Sequence, residues 1–199
     1  MKSSNYENLE FLDPKRAIGF HSVKSFFQQD FPSDQDSKQK RPEKKPQLED
    51  RQAALFSLAW KEFHKAKKVK YSMVAEESNA ADCILEITNE EGKKEYKEIQ
   101  LKEVVPEEVN KKQTLQALLN KLVKKYFVSS ELAIAINMNR DENTDLADIS
   151  FPEANNITFW IYGLCGANRA FVLKNLSDRF QILEFDLPRM PQSISELQQ

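Results

Sequence analysis

Glu98-Ile99-Gln100-Leu101-Lys102-Glu103 is a strand pattern with one apolar and one polar side. Side chains alternate along a strand, so Ile99 and Leu101 turn toward a core while Glu98, Gln100 and Lys102 share the other face. Oxygen-bearing groups followed by a lysine on that face form a candidate site. Upstream, Asp82-Cys83-Ile84-Leu85-Glu86-Ile87 has the composition of a second strand, and Asn89-Glu90-Glu91-Gly92-Lys93 between them has the residues of a hairpin turn. A hairpin there carries Asp82 back beside Gln100 and Lys102.

The segments around this hairpin set an order of elements. Leu48 to Ala66 contains neither Gly nor Pro, and Leu55, Leu58, Ala59 and Phe63 fall at helical spacing, so this is the first helix. Lys68 to Ala75 alternates through Val69, Tyr71 and Met73 and is the first strand. It is followed by strands at Asp82 to Thr88 and Glu95 to Val105. Leu115, Leu118, Leu119, Leu122 and Tyr126 lie on one face of an amphipathic helix after Pro106. Leu132, Ile134, Ile136 and Met138 then alternate with Ala133, Ala135 and Asn137, the pattern of a strand covered on both faces.

An acid opening one strand, with an acid or amide and then a lysine two residues later on the next, resembles the PD-(D/E)XK nuclease superfamily. Asp82 matches its first acidic position, Gln100 its second and Lys102 its lysine. Two positions depart from the pattern. Ala81 stands where the family's proline often stands, and Gln100 makes this a Q-x-K variant. The resemblance implies an α/β (α+β) fold with a restriction-endonuclease-like core of helix, three-strand meander, helix and strand. The order above fits that core from about Glu49 to Asn139. It also implies a metal-dependent nuclease hydrolysing phosphodiester bonds in nucleic acid, DNA rather than RNA. The metal, Mg²⁺ or Mn²⁺, would be held by Asp82, Gln100 or Glu98, and the backbone carbonyl of Leu101. A carboxamide presents a neutral oxygen to a hard cation, so Glu98 is expected to supply charge directly or through water. Lys102 would orient the attacking water and stabilise charge in the transition state. The family often adds a glutamate from the first helix, and Glu62 and Glu49 are the candidates. Glu62 interrupts the apolar stripe and leans inward by that reading, whereas Glu49 in the first turn also simply favours the helix dipole.

Composition sets outer limits. A chain of 199 residues with 40% hydrophobic and 10% aromatic residues holds one domain of ordinary size plus polar segments. No apolar run approaches the roughly 20 residues that span a bilayer, and no short apolar leader is present at the N-terminus, so a cytoplasmic protein without membrane contact is expected. A net charge of −2 argues against indiscriminate coating of nucleic acid. Lysines nevertheless gather at Lys38 to Lys45, at Lys61, Lys65, Lys67, Lys68 and Lys70, and at Lys111, Lys112, Lys121, Lys124 and Lys125. They either rim a groove for a phosphate backbone or form solvated helix faces. Two cysteines, Cys83 and Cys165, sit in apolar strand-like contexts that suit free, buried thiols. With two histidines and four glycines, the chain offers neither a zinc motif nor a Gly-rich phosphate loop. His64 among lysines reads as a surface residue, and Trp60 and Trp160 as core or boundary aromatics.

The chain divides into a polar, largely irregular segment at 1–47, a single domain at 48–188 and a tail at 189–199. Within the first segment, Ile18, Phe20, Val23, Phe26, Phe27 and Phe31 form an aromatic cluster suited to docking on the domain, on a protein partner or on a second copy in a homodimer. Beyond Arg140, the acidic loop Asp141 to Asp148 precedes strands at Ile157 to Leu164, Ala170 to Leu173 and Gln181 to Leu187, with Gly163 and Gly166 marking a turn. These strands would extend the sheet on one side. An alternative function keeps the fold without the catalysis: a weak or inactive nuclease-fold protein serving as a nucleic-acid- or protein-binding subunit. The plainest alternative is that Glu98 and Lys102 form an exposed ladder pair, Asp82 a turn acid and Gln100 a solvated strand residue.

Overall fold

The computed structural model describes residues 6, 8–15, 41–74, 81–107, 109–126, 132–140, 149–151, 157–166, 168–176 and 179–188. The aromatic cluster Ile18 to Phe31 with His21, the acidic loop Asp141 to Asp148 and the tail from 189 onward lie outside them. The elements are α1 (Arg41–His64), β1 (Lys68–Met73), β2 (Cys83–Thr88), β3 (Lys94–Val104), α2 (Leu115–Tyr126), β4 (Leu132–Met138), β5 (Ile157–Gly166), β6 (Arg169–Leu176) and β7 (Arg179–Asp186). Seven strands form one mixed sheet in the order of the chain, β1-β2-β3-β4-β5-β6-β7. The first three pair antiparallel, β3, β4 and β5 are mutually parallel, and β5 to β7 are antiparallel again.

Local chemistry accounts for the turns. Gly92 at φ +80° occupies a conformation that few side chains tolerate, closing the β2–β3 hairpin with Gly92 N–H donating to the Asn89 carbonyl at 3.0 Å. The Asn89 side chain accepts from Lys93 N–H at 2.8 Å. Thr114 caps α2, its hydroxyl accepting from Ala117 N–H at 3.1 Å. From that cap α2 carries the chain from β3 back to the parallel strand β4, as a parallel pair requires.

Strand alternation divides the interior into two cores. On one face Ile99 and Leu101 of β3 join Cys83, Leu85, Ala135, Trp160 and Tyr162 beneath α1. On the other, Val104 joins Ile134, Ile136, Phe159 and Ile161 beneath Leu115, Leu119 and Leu122 of α2. The helix α1 touches β1 and β3 and also β6 and β7, so the sheet curls around it from both ends. Nine consecutive residues, Gln52 to Trp60, are buried as a result. A helix enclosed on all sides needs apolar or self-satisfied residues throughout, and the Ser57 hydroxyl meets that need by donating to the Ala53 carbonyl at 2.7 Å.

Several boundaries differ from the sequence reading. Helix α1 begins at Arg41 rather than near Leu48; Pro42 sits in the first turn, where backbone N–H groups lack helical partners in any case, and Pro46 lies one turn further in, where it forgoes a single helical hydrogen bond. Residues 41–47 therefore belong to α1, and Leu12 is bridged to Tyr71 on the edge of β1. Gly163 lies within β5 instead of marking a turn. A Cβ there would stand 2.9 Å from the Met138 carbonyl oxygen, so glycine permits the close approach of β5 to β4. Cys83 is buried as expected but Cys165 is exposed, since the end of β5 runs past the core; both thiols are free. Trp60 and Trp160 are both buried, whereas His64 is exposed yet lies tilted against Trp60 at 4.7 Å between ring centroids. Among the described residues, no helix is long and apolar enough to cross a membrane.

Candidate cation site on the β2–β3 ladder

Pairing of Cys83 with Ile99 sets Asp82 opposite Gln100, and Asp82 N–H donates to the Ile99 carbonyl at 2.9 Å. The position immediately before β2 is thus held to the middle of β3. Asp82 Oδ2 accepts from Leu101 N–H at 2.6 Å and from Lys102 Nζ at 2.9 Å. The Lys102 ammonium also donates to Gln100 Oε1 at 2.9 Å and to the Leu101 carbonyl at 2.6 Å. An ammonium has three N–H donors, and all three are used. The oxygens of Asp82, Gln100 and Leu101 thus converge on one cationic centre, and that centre is the lysine nitrogen.

Gln100 is almost fully buried, at 5% exposure, because it faces α2; Tyr126 OH donates to the same Oε1 at 2.9 Å. This double donation fixes the carboxamide with its oxygen toward Lys102. The side chains of Asp82 and Lys102 keep 33% and 25% of their surface, so the centre opens to solvent on one side. Lys121, Lys124 and Lys125 are exposed on α2, on this same face of the sheet, with Lys125 Nζ 5.0 Å from the centroid of the Tyr126 ring. Behind Asp82, burial pushes the Cys83 thiol far above its ordinary pKa, with the Asp82 charge adding to the shift.

Other residues expected at the site are placed elsewhere. Glu98 shares the face of Gln100 but accepts a hydrogen bond from Tyr6 OH rather than joining the group around Lys102. Glu49 and Glu62 belong to α1, which packs on the opposite face of the sheet, over Ile99 and Leu101, and Glu62 points to solvent instead of inward. The apolar stripe of α1 did not predict Glu62's orientation because its final turn emerges from the enclosure that surrounds Gln52 to Trp60. Lys61, Lys65 and Lys67 likewise belong to the α1 side.

Two contributors escaped the sequence reading. Tyr126 stood as the last member of an apolar stripe, where a phenol commonly buries its ring and directs its hydroxyl to a polar partner. Tyr6 carries no local signal, because 92 residues separate it from Glu98. Its hydroxyl is pushed up to about 12, first by the hydrogen bond to Glu98, then by burial and the Glu98 charge. A folded-state pKa above the ordinary value of 10 means stability that is complete below pH 10 and is lost as pH rises from 10 toward 12. Tyr6→Phe is therefore expected to flatten the fall in thermal midpoint over that interval relative to wild type. Parallel curves for the two proteins would contradict the Tyr6–Glu98 bond.

Among the described residues, no three His, Cys, Asp or Glu side chains group closely enough to hold a metal ion. The donor set is instead one carboxylate, one carboxamide and one backbone carbonyl, all oxygen, the ligand type that Mg²⁺ and Mn²⁺ take while keeping several waters. These residues fit such an ion in chemistry, with a single formal negative charge. Comparisons of the chain with protein-family models, with characterised proteins and with solved structures gave no match.

Proposed function

We propose that the protein is a metal-dependent nuclease that hydrolyses phosphodiester bonds in DNA, and that its mixed sheet contains a restriction-endonuclease-like core. The observation that carries the reading is the convergence of Asp82, Gln100 and the Leu101 carbonyl on the Lys102 ammonium, at a spot partly open to solvent. Support for the core comes from the antiparallel meander β1–β2–β3, followed by α2 and the parallel strand β4.

Asp82, Gln100 and the Leu101 carbonyl would hold Mg²⁺ or Mn²⁺. The bound ion supplies positive charge at a nonbridging phosphate oxygen and a water of lowered pKa. Tyr126 keeps the Gln100 oxygen directed at the centre, and Leu101 N–H keeps the Asp82 carboxylate in place. Lys102, turned from these oxygens toward solvent, directs its N–H groups at the attacking water and at the charge gathering on the phosphoryl oxygens. Lys121, Lys124 and Lys125 on α2 attract the phosphate backbone to this face.

The test is cleavage of supercoiled plasmid DNA in Mg²⁺ or Mn²⁺. Wild type is expected to nick or linearise it, and Asp82→Ala to lower the rate about 10²- to 10³-fold, the usual loss for one stabilising group in an active site. A second reading has its own observation. Gln100 is neutral and buried, and Lys102 satisfies all three oxygens at once, so the ammonium can stand permanently where a metal would sit. The protein would then be an inactive binding subunit of the same fold. Plasmid left intact by wild type in both metals would favour that reading over the first.

A further inference from the structure

A cavity of about 300 Å³ opens at the carboxyl ends of the parallel strands, between α1 and the ends of β4 and β5, on the face of the sheet opposite Asp82 and Lys102. Its size is at the lower end of the range for small-molecule sites, and the C-terminal edge of parallel strands is where open α/β sheets commonly bind ligands. Arg51 and Arg140 line it, and no acidic side chain does so among the described residues. Arg140 is engaged, donating to the Val105 and Asn110 carbonyls at 3.2 and 2.6 Å.

Gln52 brings a carboxamide to this lining. It is 5% exposed, and its carboxamide has no hydrogen bond to any described residue. Its polar atoms therefore meet solvent in the cavity, whereas the other buried polar side chains of α1 and β3, Ser57 and Gln100, are paired internally. Asn137, at the end of β4 and also on the cavity wall, brings a second carboxamide. Leu55 and the half-exposed Leu164 form apolar walls between which a flat ring could lie.

We propose that this cavity binds a nucleoside monophosphate. Paired donors and acceptors on Gln52 and Asn137 match the edge of a nucleobase, which carboxamides can bond in two places. Leu55 and Leu164 cover the faces of the base. Arg51, exposed at the rim, takes the phosphate through its guanidinium fork. The site is separate from the Asp82 cluster and does not depend on nuclease activity.

Isothermal titration of the full chain with adenosine, guanosine and cytidine 5′-monophosphates, and with inorganic phosphate, tests the assignment. At least one nucleotide is expected to bind with one-to-one stoichiometry and more tightly than phosphate. Gln52→Leu should weaken it about tenfold, a loss equivalent to one good hydrogen bond, while the thermal midpoint stays level or rises because no internal bond is removed. Arg51→Ala, an exposed change that leaves the core untouched, should also weaken binding and reduce its salt dependence. Asp82→Ala should bind as wild type does. The proposal is overturned if no nucleotide binds more tightly than phosphate, if both Gln52→Leu and Arg51→Ala bind as wild type does, or if Asp82→Ala abolishes binding.

Discussion

Lys102→Met is expected to lower metal-dependent plasmid cleavage about 10²- to 10³-fold without weakening the binding of Mg²⁺. Methionine keeps the length and apolar stem of lysine and removes the charge. In the resting protein the ammonium occupies all three oxygens of the centre, at 2.6 to 2.9 Å, so its removal frees ligands rather than deleting one. Asp82→Ala, by contrast, takes away the one carboxylate among those oxygens and should lose cleavage and metal affinity together. The contrast between the two variants separates a lysine acting on the reaction from a lysine that merely pairs with Asp82. Full activity in Lys102→Met would end the role given to Lys102 in the reaction, and loss of metal binding in that variant would mean that the ammonium organises the oxygens instead of competing for them.

Phe56→Ala is expected to cost about 3–5 kcal/mol of folding stability, measured as a lower urea midpoint with an unchanged slope. Phe56 is fully buried in the middle of α1, with its ring 5.9 Å from Trp60, 5.9 Å from Trp160 and 5.2 Å from Tyr162. Because strands from both ends of the sheet close on this helix, neighbouring groups have little freedom to collapse into the space left behind. A loss of that size is a large part of the about 5–15 kcal/mol that holds a typical domain folded. A cost below about 1 kcal/mol, as at surface positions, would contradict the enclosure of α1.

The elements were legible where one periodicity ruled. Alternation in Leu132 to Met138 and the stripe from Leu115 to Tyr126 correspond to β4 and α2 residue for residue, because each faces one uniform environment per side. The start of α1 was hidden by Pro42 and Pro46, which punctuate a sequence; the first is harmless in a first turn, and the second forgoes only one hydrogen bond of a long helix. The burial of Gln52 to Trp60 on every side was not legible, since it depends on the curl of the sheet, a property of seven strands together. At the candidate site, Asp82, Gln100 and Lys102 could be brought together on paper because a short hairpin fixes their register. Tyr126 and Tyr6 could not, because the contacts they make with Gln100 and Glu98 are set by tertiary packing across 26 and 92 residues.

The most direct measurement is the thermal midpoint of wild type and Asp82→Ala across a millimolar titration of Mg²⁺. A ligand that binds only the folded state raises stability in proportion to the logarithm of its concentration above Kd. If the oxygens of Asp82, Gln100 and Leu101 form the proposed site for a divalent ion, wild type should rise steadily with Mg²⁺ while Asp82→Ala stays flat. Identical responses in the two proteins, or none in wild type, would contradict it.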